Sequence, residues 1–288
     1  MTEPEPDRTA IHLRVAQAIR SDIEAGRLRD GQRLPSTREL AQQWKVSNLT
    51  IQRAMDLLTE DGYIESRNRS GRIVSTPTDL TLSLATPIRP AHPRIVMVGG
   101  FPGSGKTEFA RVLARETGWA LLDKDTISRP VIEPALVDLG SSLNDRESDM
   151  YVQKIRPREY EALAATIADN VEVGNSVVAT APYLREFNDA AWVDNTTARA
   201  ATLNADVTLV WVRCTPETMK LYLRRRGAAR DAWKLEKWDQ YLGGLNLDFR
   251  PVGDFVVVEN DPGSEPLQKQ ARRLLDSFRW PTTKADQS

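Results

Sequence analysis

The sequence is poor in the residues that build covalent or metal-bound frameworks. Its 288 residues include one cysteine, Cys214, and two histidines, His12 and His92. One thiol forms no internal disulfide, and one thiol with two imidazoles does not assemble a Cys/His zinc site. Cys214 reads as a small buried residue at a strand end. No run of 18 apolar residues occurs, so no membrane span and no membrane partner is expected. The acidic, proline-containing opening MTEPEPDRTA lacks the apolar core of a secretory signal, which points to a cytoplasmic protein. Net charge is also nearly absent, at −1. That balance hides a local surplus: from Arg8 to Thr76 there are 12 Lys+Arg and 8 Asp+Glu, which weakly favours a polyanion partner at that end.

What is present suits two globular domains. The composition is 40% hydrophobic and 27% charged, ordinary for a chain with packed cores. At roughly 100–200 residues per domain, the length suggests two. The stretch TPTDLTLSLATPIRPAHP holds Pro77, Pro87, Pro90 and Pro93, each disfavouring helix at the residue before it. It is read as a linker over 77–93, between a first domain at 8–76 and a second at 94–288. No internal repeat is seen.

The first segment opens on an apolar stripe of Ile11, Val15, Ile19 and Ile23, which predicts a helix ended by Gly26. Ser36 with Glu39 three residues later forms a capping box that starts a second helix near Thr37, with Leu40, Ala41 and Trp44 on its buried face. Ser47 caps a third helix running to about Asp61, its apolar positions being Leu49 or Ile51, Met55 and Leu57-Leu58, and Gly62 stops it. Two short β segments, YIES and RIVS, flank the basic turn RNRSG, which holds Arg67 and Arg69. Helix, helix, tight turn, helix and hairpin make a winged helix-turn-helix.

Residues 11–75, through RLRDGQRLPSTRELA, KVSNLTIQRAMDLLTEDGYIES and SGRIVS, resemble the DNA-binding domain of the GntR family of bacterial transcription regulators. The resemblance implies that the helix after Ser47 enters the major groove of a double-stranded operator. It would present Asn48, Thr50, Gln52 and Arg53, with Arg38 as a phosphate or base contact and Arg67 and Arg69 in the wing. Asn48 and Gln52 stand where many members carry Arg. Amides prefer adenine and Arg prefers guanine, so a less G-rich site is expected. A homodimer is also implied, since two-fold operators need two readers.

The second segment opens RIVMVGGFPGSGKTEFARVLARETG. Ile95 to Val98 reads as a buried strand, and Ala110, Val112, Leu113 and Ala114 lie on a following helix. Between them, Gly100-x-x-x-x-Gly105-Lys106-Thr107 is the P-loop pattern in its proper setting. Gly100, Gly103 and Gly105 leave room for backbone N–H groups to turn inward, and with Ser104 and the helix start they cradle phosphate oxygens. Lys106 reaches the β and γ phosphates, and the Thr107 hydroxyl is placed to ligate Mg²⁺. ATP and Mg²⁺ are the implied ligands.

The strand WALLD ends in Asp123 and is followed by Lys124-Asp125, placing both acids at the carboxyl edge that faces a ligand crevice. Asp125 is a candidate base or orienting group for an acceptor hydroxyl, and Asp123 a candidate Mg²⁺ holder through water. Further strands are read at NSVVATAPY, VTLVWVRC and DFVVVEN, for a five-stranded parallel sheet. The third of these five strands ends in Thr180-Ala181 with no aspartate, which argues against an AAA-type ATPase. Thr215-Pro216 starts a helix that runs into Arg224, Arg225, Arg226 and Arg230, the expected lid over a transferring phosphoryl group.

The fold expected is α/β, a winged helix-turn-helix followed by a P-loop NTPase domain. The second domain resembles the small P-loop kinases that include polynucleotide kinase, zeta toxin and chloramphenicol phosphotransferase. That resemblance implies ATP-dependent phosphorylation of a hydroxyl, with Lys106, Asp125, Arg226 and Arg230 catalytic and Arg129 binding substrate. Two functions stay open. In one, a transcription regulator uses the P-loop domain as a sensor of ATP, ADP or a small effector. In the other, a small-molecule or toxin-like kinase carries an autoregulatory DNA-binding end.

Overall fold

The computed structural model describes residues 10–67, 71–75 and 92–279. Arg69 and most of the 77–93 linker lie outside the described residues, and of Arg67 only the backbone is described.

The first three helices form as the apolar spacing predicts: α1 Ala10–Glu24, α2 Thr37–Trp44 and α3 Asn48–Glu60. The capping box is present, with Glu39 N–H donating to Ser36 Oγ and Ser36 N–H donating to the Glu39 carboxylate. Ser47 Oγ caps α3 by accepting from Thr50 N–H at 3.1 Å. Of the two candidates on α3, Ile51 is the buried one and Leu49 is exposed. Strands β1 Ile64–Arg67 and β2 Gly71–Val74 pair antiparallel, Ile64 opposite Val74. Val15, Ile19, Trp44, Ile51, Met55 and Leu58 fill the core between these elements.

The second unit alternates strands and helices. Its elements are β3 Arg94–Gly99, α4 Lys106–Thr117, β4 Ala120–Asp123, α5 Lys124–Asp138, α6 Arg156–Glu172, β5 Val177–Thr180, α7 Ala190–Thr202 and β6 Asp206–Arg213. Then follow α8 Pro216–Arg226, α9 Ala232–Glu236, α10 Trp238–Gly243, β7 Phe255–Glu259 and α11 Leu267–Arg279. The five strands are all parallel in the order β4-β5-β3-β6-β7. Side chains alternate across the sheet: Ile95 and Met97 of β3 join one apolar layer, Val96 and Val98 the other. Burial on both faces is why the central strand reads as one continuous apolar run.

The two units share a packed contact. Leu221 and Tyr222 of α8 pack against the core of the first domain. Arg115 of α4 donates to the carbonyls of Ile23 (3.0 Å) and Glu24 (2.6 Å) at the end of α1, where Ile23 O also accepts from Gly26 N–H at 3.0 Å. Gly26 makes this possible twice over. Its φ of 73° ends the helix, and a Cβ there would meet the Arg115 guanidinium at 2.8 Å. Glu24, buried, accepts from Tyr63 Oη (2.7 Å) and from Gln268 N–H at the start of α11 (3.3 Å). Burial raises its carboxyl above the usual range, against the lowering effect of the Tyr63 bond.

Candidate functional site

The P-loop fills the turn between β3 and α4. Gly105 sits at φ 94°, and a Cβ there would collide with the side-chain amide of Asn260. Asn260 is fully buried just beyond β7, and its Nδ2 donates to Ser104 O at 3.0 Å. Sequence reasoning missed Asn260. Its only trace was a polar residue closing an apolar strand.

Lys106 starts α4 at the floor of a cleft of about 720 Å³ that Thr107, Asp123, Asp125, Arg226 and Arg230 also line. Part of its surface is open to the cleft, but protein atoms crowd it closely. This desolvation, with Arg226 nearby, lowers the ammonium to a pKa of about 8, against the opposing pull of Asp125 and Asp123. A bound polyphosphate favours the charged form. Nucleotide binding is therefore expected to be full below pH 8 and to weaken as pH rises past it, with proton uptake on binding in that range. Calorimetry at pH 7 and pH 9 in buffers of differing ionisation enthalpy checks this; equal affinity with no proton uptake counts against it.

Asp123 closes β4 and caps α5, its Oδ1 accepting from the N–H groups of Asp125 (2.9 Å) and Thr126 (3.2 Å). Its Oδ2 faces Thr107 Oγ1 at 3.4 Å. Asp125, in the first turn of α5, is held at both oxygens: Lys124 Nζ at 3.1 Å and Arg230 at 3.0 Å. Burial alone would raise its carboxyl, but these two cations outweigh that and hold it far below the usual carboxylate range. Lys124 is itself buried and also pairs with buried Glu159 at 3.0 Å. Glu159 in turn accepts from Ser128 Oγ (2.8 Å) and Tyr151 Oη (2.5 Å). Tyr151 lies in a π-turn, residues 151–155, that leads into α6 and lines the cleft. Of this network Asp125 and Arg230 were singled out in sequence and Lys124 was seen only as the residue between the two aspartates, while Glu159, Ser128 and Tyr151 were not read there.

The arginines at the end of α8 have different partners, although Arg225, Arg226 and Arg230 all border the cleft. Arg226 is fixed by buried Asp231, at 2.8 and 2.5 Å, and faces the cleft. Arg225 instead pairs with Asp22 of α1 and lies 4.7 Å from the centre of the Trp44 ring. Burial lowers its guanidinium to about 10. Arg224 is exposed. Arg129 is exposed on α5 at the cleft.

On the first domain, Asn48, Gln52, Arg53 and Arg38 are exposed. Gln52 is already committed, donating to Asp56 (2.8 Å) and accepting from Arg72 (2.8 Å). Arg72, from β2, also donates to Thr37 Oγ1 at 2.9 Å and ties α2, α3 and the hairpin together. Sequence reasoning did not single it out.

Fold and cradle together define a P-loop phosphate-binding domain behind a winged helix-turn-helix. The chain belongs to the family described as AAA domain, matched over residues 95–247, and residues 11–74 match the bacterial regulatory proteins of the gntR family. It is thus a GntR-type DNA-binding domain fused to an ATP-binding, kinase-like P-loop domain. The family description corrects the expectation drawn from Thr180 that the chain is not of AAA type. A missing acid at the end of β5 does not exclude membership, because Asp123 at the end of the next strand faces Thr107.

MocR of Rhizobium meliloti, named a probable rhizopine catabolism regulatory protein, is 39% identical over 66 residues, 23% of this chain and 13% of MocR. Shikimate kinase of Moorella thermoacetica is 29% identical over 140 residues, 46% of this chain and 78% of that enzyme. A sugar kinase structure from Janibacter sp. HTCC2649 aligns with a TM-score of 0.43 at 21% identity, covering 65% of this chain and 95% of that one. Among the described residues no helix is long and apolar enough to cross a membrane.

Proposed function

We propose that the protein is a DNA-binding transcription regulator whose P-loop domain binds ATP and transfers its γ-phosphoryl group to the hydroxyl of a small molecule. One observation carries the reading: Lys106, Thr107, Asp123, Asp125, Arg226 and Arg230 converge on a single cleft.

The roles follow from the geometry. Backbone N–H groups at Gly103, Gly105 and the start of α4 bind phosphate oxygens and Lys106 neutralises them, while the N–H groups of Gly100 and Ser104 shape the loop by donating to Pro182 O (3.3 Å) and Phe101 O (3.0 Å). Thr107 and Asp123 offer one hydroxyl and one carboxylate oxygen. Among the described residues no group of three or more His, Cys, Asp or Glu is arranged to hold a metal ion by itself. Such a sparse, hard-oxygen donor set fits Mg²⁺, which keeps several waters and leans on substrate phosphates. When bound, that ion spreads the charge of the phosphate oxygens.

Asp125, held strongly ionised, serves to accept a hydrogen bond from the acceptor hydroxyl and aim its oxygen in line with the γ-phosphorus. A loose transition state asks for positioning more than for a strong base. Arg226 and Arg230 supply positive charge to the equatorial oxygens. Arg230 now rests on Asp125, so incoming phosphates compete for it. Arg129, with no ion pair among the described residues, is placed to bind the acceptor. A pure sensor has no use for Asp125, and its retention favours turnover over sensing alone.

Regulation rests on the first domain, with Ser47 capping α3, and Asn48, Thr50, Arg53 and Arg38 toward the groove. Arg67 and Arg69 of the wing would meet phosphates, and a homodimer would read a two-fold site. Arg53→Ala and Arg38→Ala are each expected to weaken DNA binding about tenfold while ATP affinity stays unchanged. Genomic fragments retained by the purified chain provide the probe. Unchanged DNA affinity in both variants would sink the groove assignment.

A further inference from the structure

The cleft above the P-loop is not lined by one domain. Ala18, Ser21, Asp22, Arg27 and Gln43 of the DNA-binding domain contribute to it. Their contacts meet the residues that follow Lys106. Arg27 pairs with Glu108, next after Thr107, and with Asp22 at 3.2 Å. Asp22 also pairs with Arg225 of α8, so one carboxylate holds an arginine from each domain. A second connection runs from Gln17 of α1, which donates to Asn260 Oδ1 at 3.2 Å, while Asn260 Nδ2 holds Ser104 O.

Three residues on this cleft, Ser21, Thr180 and Tyr222, have hydroxyls with no partner among the described residues. Ser21 and Tyr222, one from each domain, border the cleft, and their hydroxyl oxygens lie just beneath its surface, shut from bulk water and without a hydrogen bond. Buried hydroxyls without a partner are uncommon, and such groups are satisfied by ligands in many sites.

A triphosphate on the cradle has a direction. Its γ end lies toward Asp125 on the proposed reading, so its nucleoside leaves along Glu108 and Arg111 at the start of α4, where α1 stands. We propose that the DNA-binding domain forms one wall of the nucleotide site, with the nucleoside of ATP packed against Ser21, Asp22, Arg27 and Gln43. This rests on the nucleotide reading of the P-loop. A ligand held by both domains binds only as well as their docking allows. By linkage, anything that shifts the docking, operator DNA included, shifts nucleotide affinity, and nucleotide shifts DNA affinity by the same factor.

The test is calorimetry on the full chain with two probes, Mg-ATP and inorganic tripolyphosphate. The second occupies the cradle and has no nucleoside. Ser21→Leu and Gln43→Trp are expected to weaken ATP at least tenfold and to leave tripolyphosphate within twofold of the parent. Gln43 is exposed, so its variant keeps the fold and carries the test alone if Ser21→Leu does not. Unchanged ATP affinity in a folded Gln43→Trp and Ser21→Leu pair overturns the wall. A parent chain that binds neither probe overturns the nucleotide reading itself, and the proposal falls with it. A parent that binds tripolyphosphate and ATP equally well overturns the wall alone.

Discussion

Asp125→Asn keeps ATP binding and loses phosphoryl transfer by about 10²–10⁴-fold, the range typical for removing a positioned acid–base group. The amide preserves shape but drops the charge that now holds Lys124 and Arg230. Lys124 retains Glu159 at 3.0 Å, so the buried network survives the change. Arg230, released, remains free for phosphate, which is why binding is expected to hold. Following ATP consumption with a small-molecule extract of the source cell, parent beside variant, reads the effect. Equal turnover in both would remove Asp125 from the chemistry, and lost ATP binding would show that its role is structural.

The second large effect is expected at the cradle. Lys106→Ala should lower ATP affinity by on the order of 100-fold, because a cation set among backbone donors in a partly desolvated cleft is the main charge facing the triphosphate. The fold should tolerate it. Lys106 has no ion pair among those described and already suffers from burial, so its removal relieves a desolvation cost. Calorimetry gives the affinity, and a thermal melt of the apo chain gives the stability. A loss of stability with intact ATP affinity would reverse the assignment.

Sequence reading reached the first domain nearly whole because its signals are local. A capping box at Ser36 and Glu39, a cap at Ser47 and apolar spacing each act within one turn of helix. The P-loop was legible for the same reason, since Gly100 to Thr107 carry their chemistry in contiguous backbone. Tertiary facts were not. Helix α5 went unforeseen, with Pro130 and Pro134 inside it, each lacking the N–H that a helix interior uses. Glu159 reaches the cleft only because α6 packs on α5 and brings it to Lys124. Arg225 and Arg226 are neighbours in sequence and look alike there. Helical geometry turns one to Asp22 and the other to Asp231, about 100° apart around α8. Asn260 and Gln17 meet across 243 positions, which no local pattern records.

The central claim is that one chain makes DNA binding depend on nucleotide. It is tested most directly by titrating a retained genomic DNA fragment with the purified full chain, with and without saturating Mg-ATP, alongside Lys106→Ala. The account predicts that ATP moves the DNA midpoint of the parent at least fivefold, within the usual span of coupling between sites, and moves that of Lys106→Ala not at all. Superimposed titrations of the parent with and without ATP, under conditions where ATP is shown to be bound, would contradict it.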